Sequence, residues 1–513
     1  MQIAGGSQQL LFKRQHILFS LCTGRSHLFS PGPTSKVVET EPQGSSLSPS
    51  PSSPGSINMA ARPSSEQKQK QQQQQQQQQI AIEKAKEAAS MAGKVGMERV
   101  AAVEVTVREV DVERDLPAVE ELERRCEVGL SGDQADDGGK KKTKKKKKSM
   151  SLCVEQIGDP LARVRHAPEH VMLVAECGEE MVGVIKACIK MVSRGSSGSS
   201  SSSGSVAKQP AYVKVAFILG LRVSPSHRRQ GVATALVQAA EEWSRGRGAA
   251  HATMATTASN KASLGLFAGR FGYAPFRRPV LLGRPVHARW LPVTSRHRVL
   301  QLPPTLAAAA YARLLPLQDT EFLPADLPAL LAHKLTLGTF VAIESSNAAG
   351  TGSDTASPSF AVLSVWDQTR SLRLRVDGAP ALLRHSLAAV RALDRVAPWL
   401  RVPSVPDIFR PFGAYLIYGV RMSGPEGPAL LRTLCSHAHN MARNNPACAV
   451  VAADLSPDDP AAAAIPSWRR FSCDEDVWCI KNLSDNNATP TSSSDWPASA
   501  PPGSVLFVDP REF

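Results

Sequence analysis

The stretch SPSHRRQGVATALVQAAEEW, residues 224–243, places a proline, two arginines and a glycine directly before an apolar helix. The first N–H groups of a helix have no partner within the helix, and the helix dipole adds positive potential at the same end. Gly231 lets an anion approach the backbone closely, and Arg228 and Arg229 add positive charge. The stretch therefore predicts a pyrophosphate-binding helix start, with a solvated basic helix end as the alternative.

Residues 103–296 predict alternating strands and helices around that stretch. VEVTVREV, from Val103, alternates apolar and polar residues as a half-buried strand does. The segment 111–129 predicts a helix with Asp115 as its N-cap and Pro117 in its first turn. Strands follow at VMLVAEC, MVGVIKACIKMV and YVKVAFILGLRVS, then the helix of the opening stretch, the strand AHATMATT and the helix NKASLGLFAGRF.

The spacing Arg228-x-x-Gly231-x-Ala233 resembles the [RQ]-x-x-G-x-[GA] signature of the GNAT acetyltransferases. The later stretch NKASLGLFAGRFGY, from Asn260 to Tyr273, resembles a second element of that family. The segments LGLRVSPSHRRQG, KLTLGTFVA, PFGAYLIYG, LCSHAHN and FVDPREF are similar to the plant Hookless-type N-acetyltransferases from about residue 105 to residue 513. The resemblance therefore covers both halves of the chain.

The resemblance implies an α/β protein with the GNAT fold, a mixed and mostly antiparallel sheet with helices on both faces. This domain is predicted at 103–296, with flexible loops at 131–149 and 193–210. The strand and helix order at 297–483 repeats that of the first half and predicts a degenerate second GNAT-like domain. Residues 1–102, with an unbroken glutamine run, predict a disordered or targeting segment, and 484–513 a tail.

The resemblance also implies acetyl-CoA as co-substrate, with its pyrophosphate on the backbone amides of the opening stretch and its pantetheine arm along a strand whose neighbours separate. The cofactor-binding residues that it implies are Leu221, Val223, Arg228, Arg229, Gln230, Gly231, Val232, Ala233 and Asn260. Asn260 has helix capping as an equal alternative.

The catalytic residues are harder to assign from the sequence. Many GNAT enzymes carry a tyrosine as acid where this chain has Phe267, so Tyr273 is the candidate acid, with packing as its alternative. The candidate bases are Glu120, Glu123 and Glu127, on or after the first helix, and Glu176 near a strand end. Among them Glu127 is favoured, because the end of that helix borders the acceptor side in such folds.

The composition limits which binding partners and which subcellular compartment the sequence predicts. Of the net charge of +14, eight charges lie in the lysine tract 140–148. The tract predicts nuclear import, while the acid-free residues 1–38 resemble a chloroplast transit peptide as the alternative. Aromatic residues do not alternate with these lysines, which argues against specific nucleic-acid binding. No apolar run is long enough for a membrane span, and the nine cysteines have no zinc spacing. Cys435, His437 and His439 cannot converge on a metal from one helix.

The predicted reaction moves an acetyl group from acetyl-CoA to an amine, on a protein or peptide acceptor of which a histone-like lysine is one example. The resemblance implies a role in plant growth regulation. One alternative is a regulatory scaffold that binds acetyl-CoA without catalysis. Another is an acetyltransferase for small-molecule amines such as polyamines, which would require an acidic acceptor pocket.

Overall fold

The structure is a computed structural model. It describes residues 104–126, 128–129, 151–156, 160–195, 212–345, 359–473, 476–483, 496 and 503–512. Glu127, the lysine tract 140–148 and the segment 1–102 lie outside the described residues. From residue 104 onward the described parts belong to one compact unit, and no helix in them is long and apolar enough to cross a membrane.

The strands are numbered along the chain. Those of the first half are β1 (Thr106–Glu109), β2 (Val128–Gly129), β3 (Ser151–Gln156), β4 (Glu169–Cys177), β5 (Glu180–Arg194), β6 (Tyr212–Val223), β7 (His251–Thr257), β8 (Ala274–Arg277) and β9 (Val280–Pro285). Those of the second half are β10 (His297–Leu302), β11 (Thr320–Pro324), β12 (Thr336–Glu344), β13 (Phe360–Asp367), β14 (Leu372–Asp377), β15 (Gly413–Ser423), β16 (Cys448–Leu455), β17 (Asp476–Asn482) and β18 (Val505–Leu506).

The helices follow the same numbering. They are α1 (Val112–Arg125), α2 (Val232–Gly246), α3 (Lys261–Phe267), α4 (Pro304–Leu314), α5 (Leu327–Leu331), α6 (Ala381–Val396), α7 (Gly427–Arg443) and α8 (Pro460–Ala464). Helix α2 packs on β4, β5 and β6, and α1 packs on β5 and β6. Different apolar side chains of β4 and β5 face the two helices, so the sheet is covered on both sides.

Helix α1 begins earlier than its sequence predicts. Asp111, not Asp115, is the N-cap, and its carboxylate accepts hydrogen bonds from the N–H groups of Glu113 and Arg114. Asp115 is buried and forms an ion pair with Arg108, with 2.5 Å between Nη1 and Oδ2. The N-cap prediction was therefore wrong, because the aspartate nearest the proline is held by a side-chain partner from β1 that sequence spacing does not reveal.

The first sheet has the order β1-β4-β5-β6-β7-β17-β8 among the described strands. Neighbours are antiparallel up to β6, and β6 and β7 are parallel. Strand β5 continues to Arg194, two residues into the loop predicted at 193–210, because β11 pairs with its last residues. The predicted mixed, mostly antiparallel sheet is confirmed.

The second sheet has the order β10-β12-β13-β15-β16-β9. Its β15 and β16 are parallel, as β6 and β7 are in the first sheet, and α7 follows β15 as α2 follows β6. Helix α7 packs against β12, β13, β15 and β16 over a core of leucines and alanines. The second half therefore repeats the central strand–helix unit of the first, as its sequence order predicts.

The two halves exchange a strand. Strand β9 belongs to the first half of the sequence, yet it pairs antiparallel with β16 at the edge of the second sheet. Strand β17, DVWCIKN in the second half, lies antiparallel between β7 and β8 in the first sheet. Each sheet is therefore completed by the other half, and the predicted boundary near 296 is crossed twice by sheet hydrogen bonding.

The last described residues of the chain lie in the core, although Ser- and Pro-rich sequence precedes them. Strand β18 pairs parallel with β11, which in turn pairs with β5. Beyond it, Asp509 and Arg511 are buried, and Asp509 forms an ion pair with Lys190 of β5 at 2.9 Å. The end of the chain thus helps to connect the two halves.

Candidate active site

The start of α2 forms an open cradle of backbone N–H groups. Gly231 is the N-cap, with a left-handed φ of 89°, and no side chain caps the helix. The first helical hydrogen bond runs from the N–H of Ala235 to the carbonyl of Gly231 at 3.0 Å. The N–H groups of residues 232–234 come before this bond and point out of the helix. A β-carbon on Gly231 would have no atom within 4 Å, so the space in front of the glycine is open.

The residues before Gly231 shape the approach to this cradle. Arg229 has a φ of 66°, a left-handed conformation that non-glycine residues rarely adopt. Gln230 donates a hydrogen bond from Nε2 to the carbonyl of Ser226 at 3.2 Å and so closes the loop. The Nε of Arg228 is buried without a hydrogen-bond partner among the described residues. An unpaired guanidinium N–H beside exposed helix N–H groups favours an anionic ligand.

The sheet opens next to the cradle. Strands β6 and β7 pair only from Val215 to Phe217, although β6 runs on to Val223. On the other side of β6, the register with β5 shifts near Gly220, which has a left-handed φ of 68°. This bulge lies within the free stretch of β6, the residues 218–223 that do not pair with β7. Strand β6 therefore separates from β7 at Leu221 and Val223 while it stays paired with β5. Backbone groups on the β7 side of this stretch can bind an amide-bearing chain.

Asn260 follows β7 by three residues and caps α3. Its Oδ1 accepts a hydrogen bond from the N–H of Ser263 at 3.1 Å. Its Nδ2 donates to the hydroxyl of Thr256 at 3.1 Å. Both ends of the buried amide are thus engaged within the protein, and this geometry accounts for Asn260 as a helix cap.

Tyr273 lies in the core beside Phe267. The two rings meet edge to face with 5.2 Å between centroids, and Tyr273 is only 1% exposed. Burial, followed by the neighbouring Glu241 carboxylate, raises the pKa of the Tyr273 phenol well above its ordinary value. The phenol is therefore protonated at neutral pH, as an acid must be, but it faces Glu241 of α2. Its catalytic role stays a prediction.

A group of buried charges lies beneath α1, on the sheet face opposite α2. The carboxylate of Glu123 forms an ion pair with Lys186, with 2.9 Å between Oε1 and Nζ. The side-chain carbons of Lys186 pack against Gly220, whose β-carbon would lie 3.2 Å from Cδ. Cys126, at the end of α1, donates from Sγ to the carbonyl of Val223 at 3.4 Å. The end of α1 therefore borders the free stretch of β6, and Glu127 is the next residue along the chain.

Arg222 and Arg163 complete this charged group, and sequence reasoning missed both of them along with Lys186. Burial would raise the pKa of Glu123, but the charges of Lys186 and Arg222 hold it below its ordinary value. Burial lowers the pKa of Lys186, of Arg222 and of Arg163, the last to about 10. A signal was available, because single basic residues inside otherwise apolar strands are costly to bury and mark functional positions.

The second half has a similar strand bulge, but it lacks the open space beside the bulge and the positive charge before the helix. Gly419 in β15 has a left-handed φ of 62° at a register shift, as Gly220 has in β6. A β-carbon there would lie 2.7 Å from the hydroxyl of Tyr311, which is buried and bonded to Ser364. The residue before α7 is the acidic Glu426, where the first half has Gly231. The second half is thus a degenerate copy without the anion cradle.

The described residues hold no group of three or more histidine, cysteine, aspartate or glutamate side chains that could bind a metal ion. Within α7, the Nε2 of His439 accepts a hydrogen bond from the N–H of His287 at 2.8 Å. His437 packs against the ring of Phe340, and Cys435 is buried. These three side chains serve the packing of α7.

Comparison with known proteins identifies the fold and the chemistry. The model of the acetyltransferase (GNAT) family matches residues 144–273. The acetyl transferase GW6a of Oryza sativa subsp. japonica is 70% identical over 431 residues, which cover 80% of this chain and 97% of the relative. The probable N-acetyltransferase HLS1-like of Arabidopsis thaliana is 42% identical, over 80% of this chain and 99% of the relative.

Solved structures match less closely. A tandem GNAT protein from the clavulanic acid biosynthesis pathway is 12% identical and covers 75% of this chain and 100% of its own, at a TM-score of 0.39. The assignment therefore depends on the sequence relatives and on the geometry at the start of α2. Both agree with an acetyl-CoA-dependent enzyme, and the chain belongs to the plant HLS1-like N-acetyltransferases of the GNAT family.

Proposed function

We propose that this protein transfers the acetyl group of acetyl-CoA to an amine of a protein or peptide. The observation that carries the proposal is the open glycine cradle at the start of α2, next to the unpaired stretch of β6. The N–H groups at 232–234 and Arg228 would hold the pyrophosphate, and the backbone at Leu221 and Val223 would pair with the pantetheine arm. A backbone N–H at the bulge would polarise the thioester carbonyl.

In this proposal, the acceptor amine attacks the thioester carbonyl as its neutral form. The C–N bond forms, the C–S bond breaks, and the proton lost by the nitrogen is balanced by the proton gained by the CoA thiolate. Glu127, next to the end of α1, is the proposed base that removes the amine proton, directly or through water. Tyr273 is the sequence candidate for the acid, and its enclosed position favours a packing role instead.

The charge of the site bears on the acceptor. A polyamine acetyltransferase would need an acidic acceptor pocket, whereas the described group beneath α1 has one carboxylate, Glu123, among three buried cations. This balance supports a protein or peptide amine over a polyamine. The non-catalytic scaffold is the second candidate, because Phe267 occupies the usual acid position. A role in plant growth regulation is proposed from the resemblance to Hookless-type proteins.

Glu127→Gln should reduce the turnover of a lysine peptide by at least a hundredfold, since a positioned general base contributes about a hundred- to ten-thousandfold. Turnover is measured as CoA release by the full-length protein, beside the wild type and the exposed control Glu113→Gln. The acetyl-CoA dissociation constant should stay within about twofold. Unchanged turnover in the variant would remove Glu127 as the base. A wild type that binds acetyl-CoA but acetylates no amine would favour the scaffold.

We also propose that the protein acts in the nucleus, on the basis of the lysine tract 140–148. Replacing its eight lysines with glutamine in a fluorescently tagged full-length chain should move the protein from the nucleus to the cytoplasm. A tagged wild type that accumulates in chloroplasts would instead support a transit peptide in residues 1–38. Nuclear accumulation of both forms would show that the tract is not the import signal.

A further inference from the structure

Three buried cations meet beside the free stretch of β6. Arg163 comes from the segment before β4, Lys186 from β5 and Arg222 from β6, and they are 4%, 1% and 7% exposed. Glu123 pairs with Lys186 at 2.9 Å. Burial lowers the pKa of Lys186 and of Arg163, and the charge of Arg222 lowers both further. Among the described residues, one carboxylate, that of Glu123, therefore pairs with a group of three cations.

The cations have unused hydrogen-bond donors. Arg163 donates from Nη2 to the backbone carbonyl of Glu512 at 2.7 Å, but its Nε has no partner among the described residues. The Nε and Nη1 of Arg222 likewise have no partner there. Buried guanidinium N–H groups without acceptors are rare and costly, and an anion that binds here would satisfy them.

The other nearby carboxylates are already engaged. Asp509 forms ion pairs with Lys190 at 2.9 Å and with Arg511 at 2.6 Å. Glu512 forms an ion pair with the same Lys190 at 3.1 Å. These acids balance Lys190 and Arg511, and among the described residues none forms an ion pair with the guanidinium of Arg222.

The position of the cations relates them to the acceptor. Arg222 directly follows Leu221, where the proposed thioester carbonyl would be polarised, and Lys186 packs against Gly220 at the bulge. The group lies on the α1 face of the sheet, while the cradle belongs to α2 on the opposite face. If the acceptor approaches the thioester from the α1 side, the groups nearest its reacting amine would lie close to these three cations.

We propose, on the basis of the proposed acetyl transfer, that Arg222 and its neighbours bind a carboxylate that lies close to the acceptor amine. A guanidinium binds a carboxylate through two parallel hydrogen bonds, which gives orientation as well as affinity. The same cations disfavour an acceptor surrounded by lysine or arginine. They also favour the neutral form of an incoming amine, because nearby positive charge lowers the pKa of an ammonium group.

The test compares matched acceptors with the full-length protein and saturating acetyl-CoA. One pair consists of a lysine peptide flanked by glutamates and the same peptide flanked by glutamines. A second pair consists of a free amino acid and its carboxamide. Comparison of the two pairs shows whether the bound carboxylate belongs to a free amino acid or to a side chain of a peptide. In at least one of the two pairs, the acceptor with the carboxylate should have a kcat/KM at least ten times that of the matched neutral acceptor.

Arg222→Gln should abolish this preference by raising the KM for the acceptor with the carboxylate. The KM for acetyl-CoA should change by less than about twofold. Arg222→Lys, which keeps the charge, should retain part of the preference, and the exposed control Arg114→Gln should retain all of it. Equal kcat/KM within both pairs in the wild type would overturn the proposal. A preference that persists in Arg222→Gln would overturn it as well.

Binding gives a second readout that does not need turnover. Calorimetry of the glutamate-flanked, N-acetylated peptide with CoA-loaded protein should show at least tenfold weaker binding to Arg222→Gln than to the wild type. If no acceptor is acetylated and this difference is present, the carboxylate subsite stands and the proposed acetyl transfer fails. Equal binding to the two proteins would overturn the subsite.

Discussion

Replacing Gly231 with glutamate should abolish acetyl-CoA binding and leave the fold intact. Gly231 has a left-handed φ of 89°, and a β-carbon there would meet no protein atom within 4 Å. The new side chain would therefore fill the space in front of the helix N–H groups, where the pyrophosphate is proposed to lie, and its negative charge would repel the phosphates. We expect the dissociation constant to rise at least a hundredfold, or about 2.8 kcal/mol.

Gly248→Glu is the matched control for this substitution. Gly248 has a left-handed φ of 74°, and a β-carbon there would also have no atom within 4 Å, but this glycine follows the opposite end of α2. The same backbone strain, about 1–2 kcal/mol, is thus introduced away from the cradle. Calorimetry with full-length proteins should show wild-type affinity for Gly248→Glu. Equal affinities of the two variants would remove the pyrophosphate from the start of α2.

The cradle could be predicted from the sequence because its determinants are local. A strand, a loop with Arg228 and Gly231, and an apolar helix follow one another within about twenty residues. Backbone N–H groups at a helix start do not depend on distant partners. The separation of β6 from β7 beside it was implied by the family resemblance, and the pairing that stops at Phe217 agrees with it.

The strand exchange could not be predicted in the same way. The sequences of β9 and β17 identify each as a strand, since both alternate or concentrate apolar residues. Neither sequence states which sheet edge accepts it. Strand β17 lies between β7 and β8 while β9 pairs with β16, so the arrangement involves two strands almost two hundred residues apart in the sequence. Such non-local choices are decided by tertiary packing and not by propensity.

The buried cations were missed for a related reason. Within β5, Lys186 and Lys190 are four residues apart and share one face, yet each is buried against partners from distant segments. Lys186 meets Glu123 of α1, and Lys190 meets Asp509 near the end of the chain. The two lysines stand out in an otherwise apolar strand, but the sequence does not show which distant segments pair with them.

Asp509→Asn should lower the free energy of unfolding by about 3–5 kcal/mol, because it leaves buried cations without their counter-charge. The carboxylate is 3% exposed and pairs with both Lys190 and Arg511. Burial would raise the pKa of Asp509, but the charges of these two partners hold it well below its ordinary value. Loss of the pair should also weaken the parallel pairing of β18 with β11, which precedes it along the chain. Urea unfolding of the full-length proteins measures the effect.

Asp326→Asn is the matched control, since Asp326 pairs with the same Arg511 at 2.6 Å but is 41% exposed. Its loss should cost no more than about 1 kcal/mol, as for other solvent-exposed pairs. The pH dependence provides an independent check. A carboxylate with a depressed pKa stabilises the folded state above its unfolded pKa and loses that effect as the pH falls. The difference between wild type and Asp509→Asn should therefore be constant above about pH 5 and narrow below about pH 4. A difference that does not change with pH would mean that Asp509 acts through packing and not through its charge.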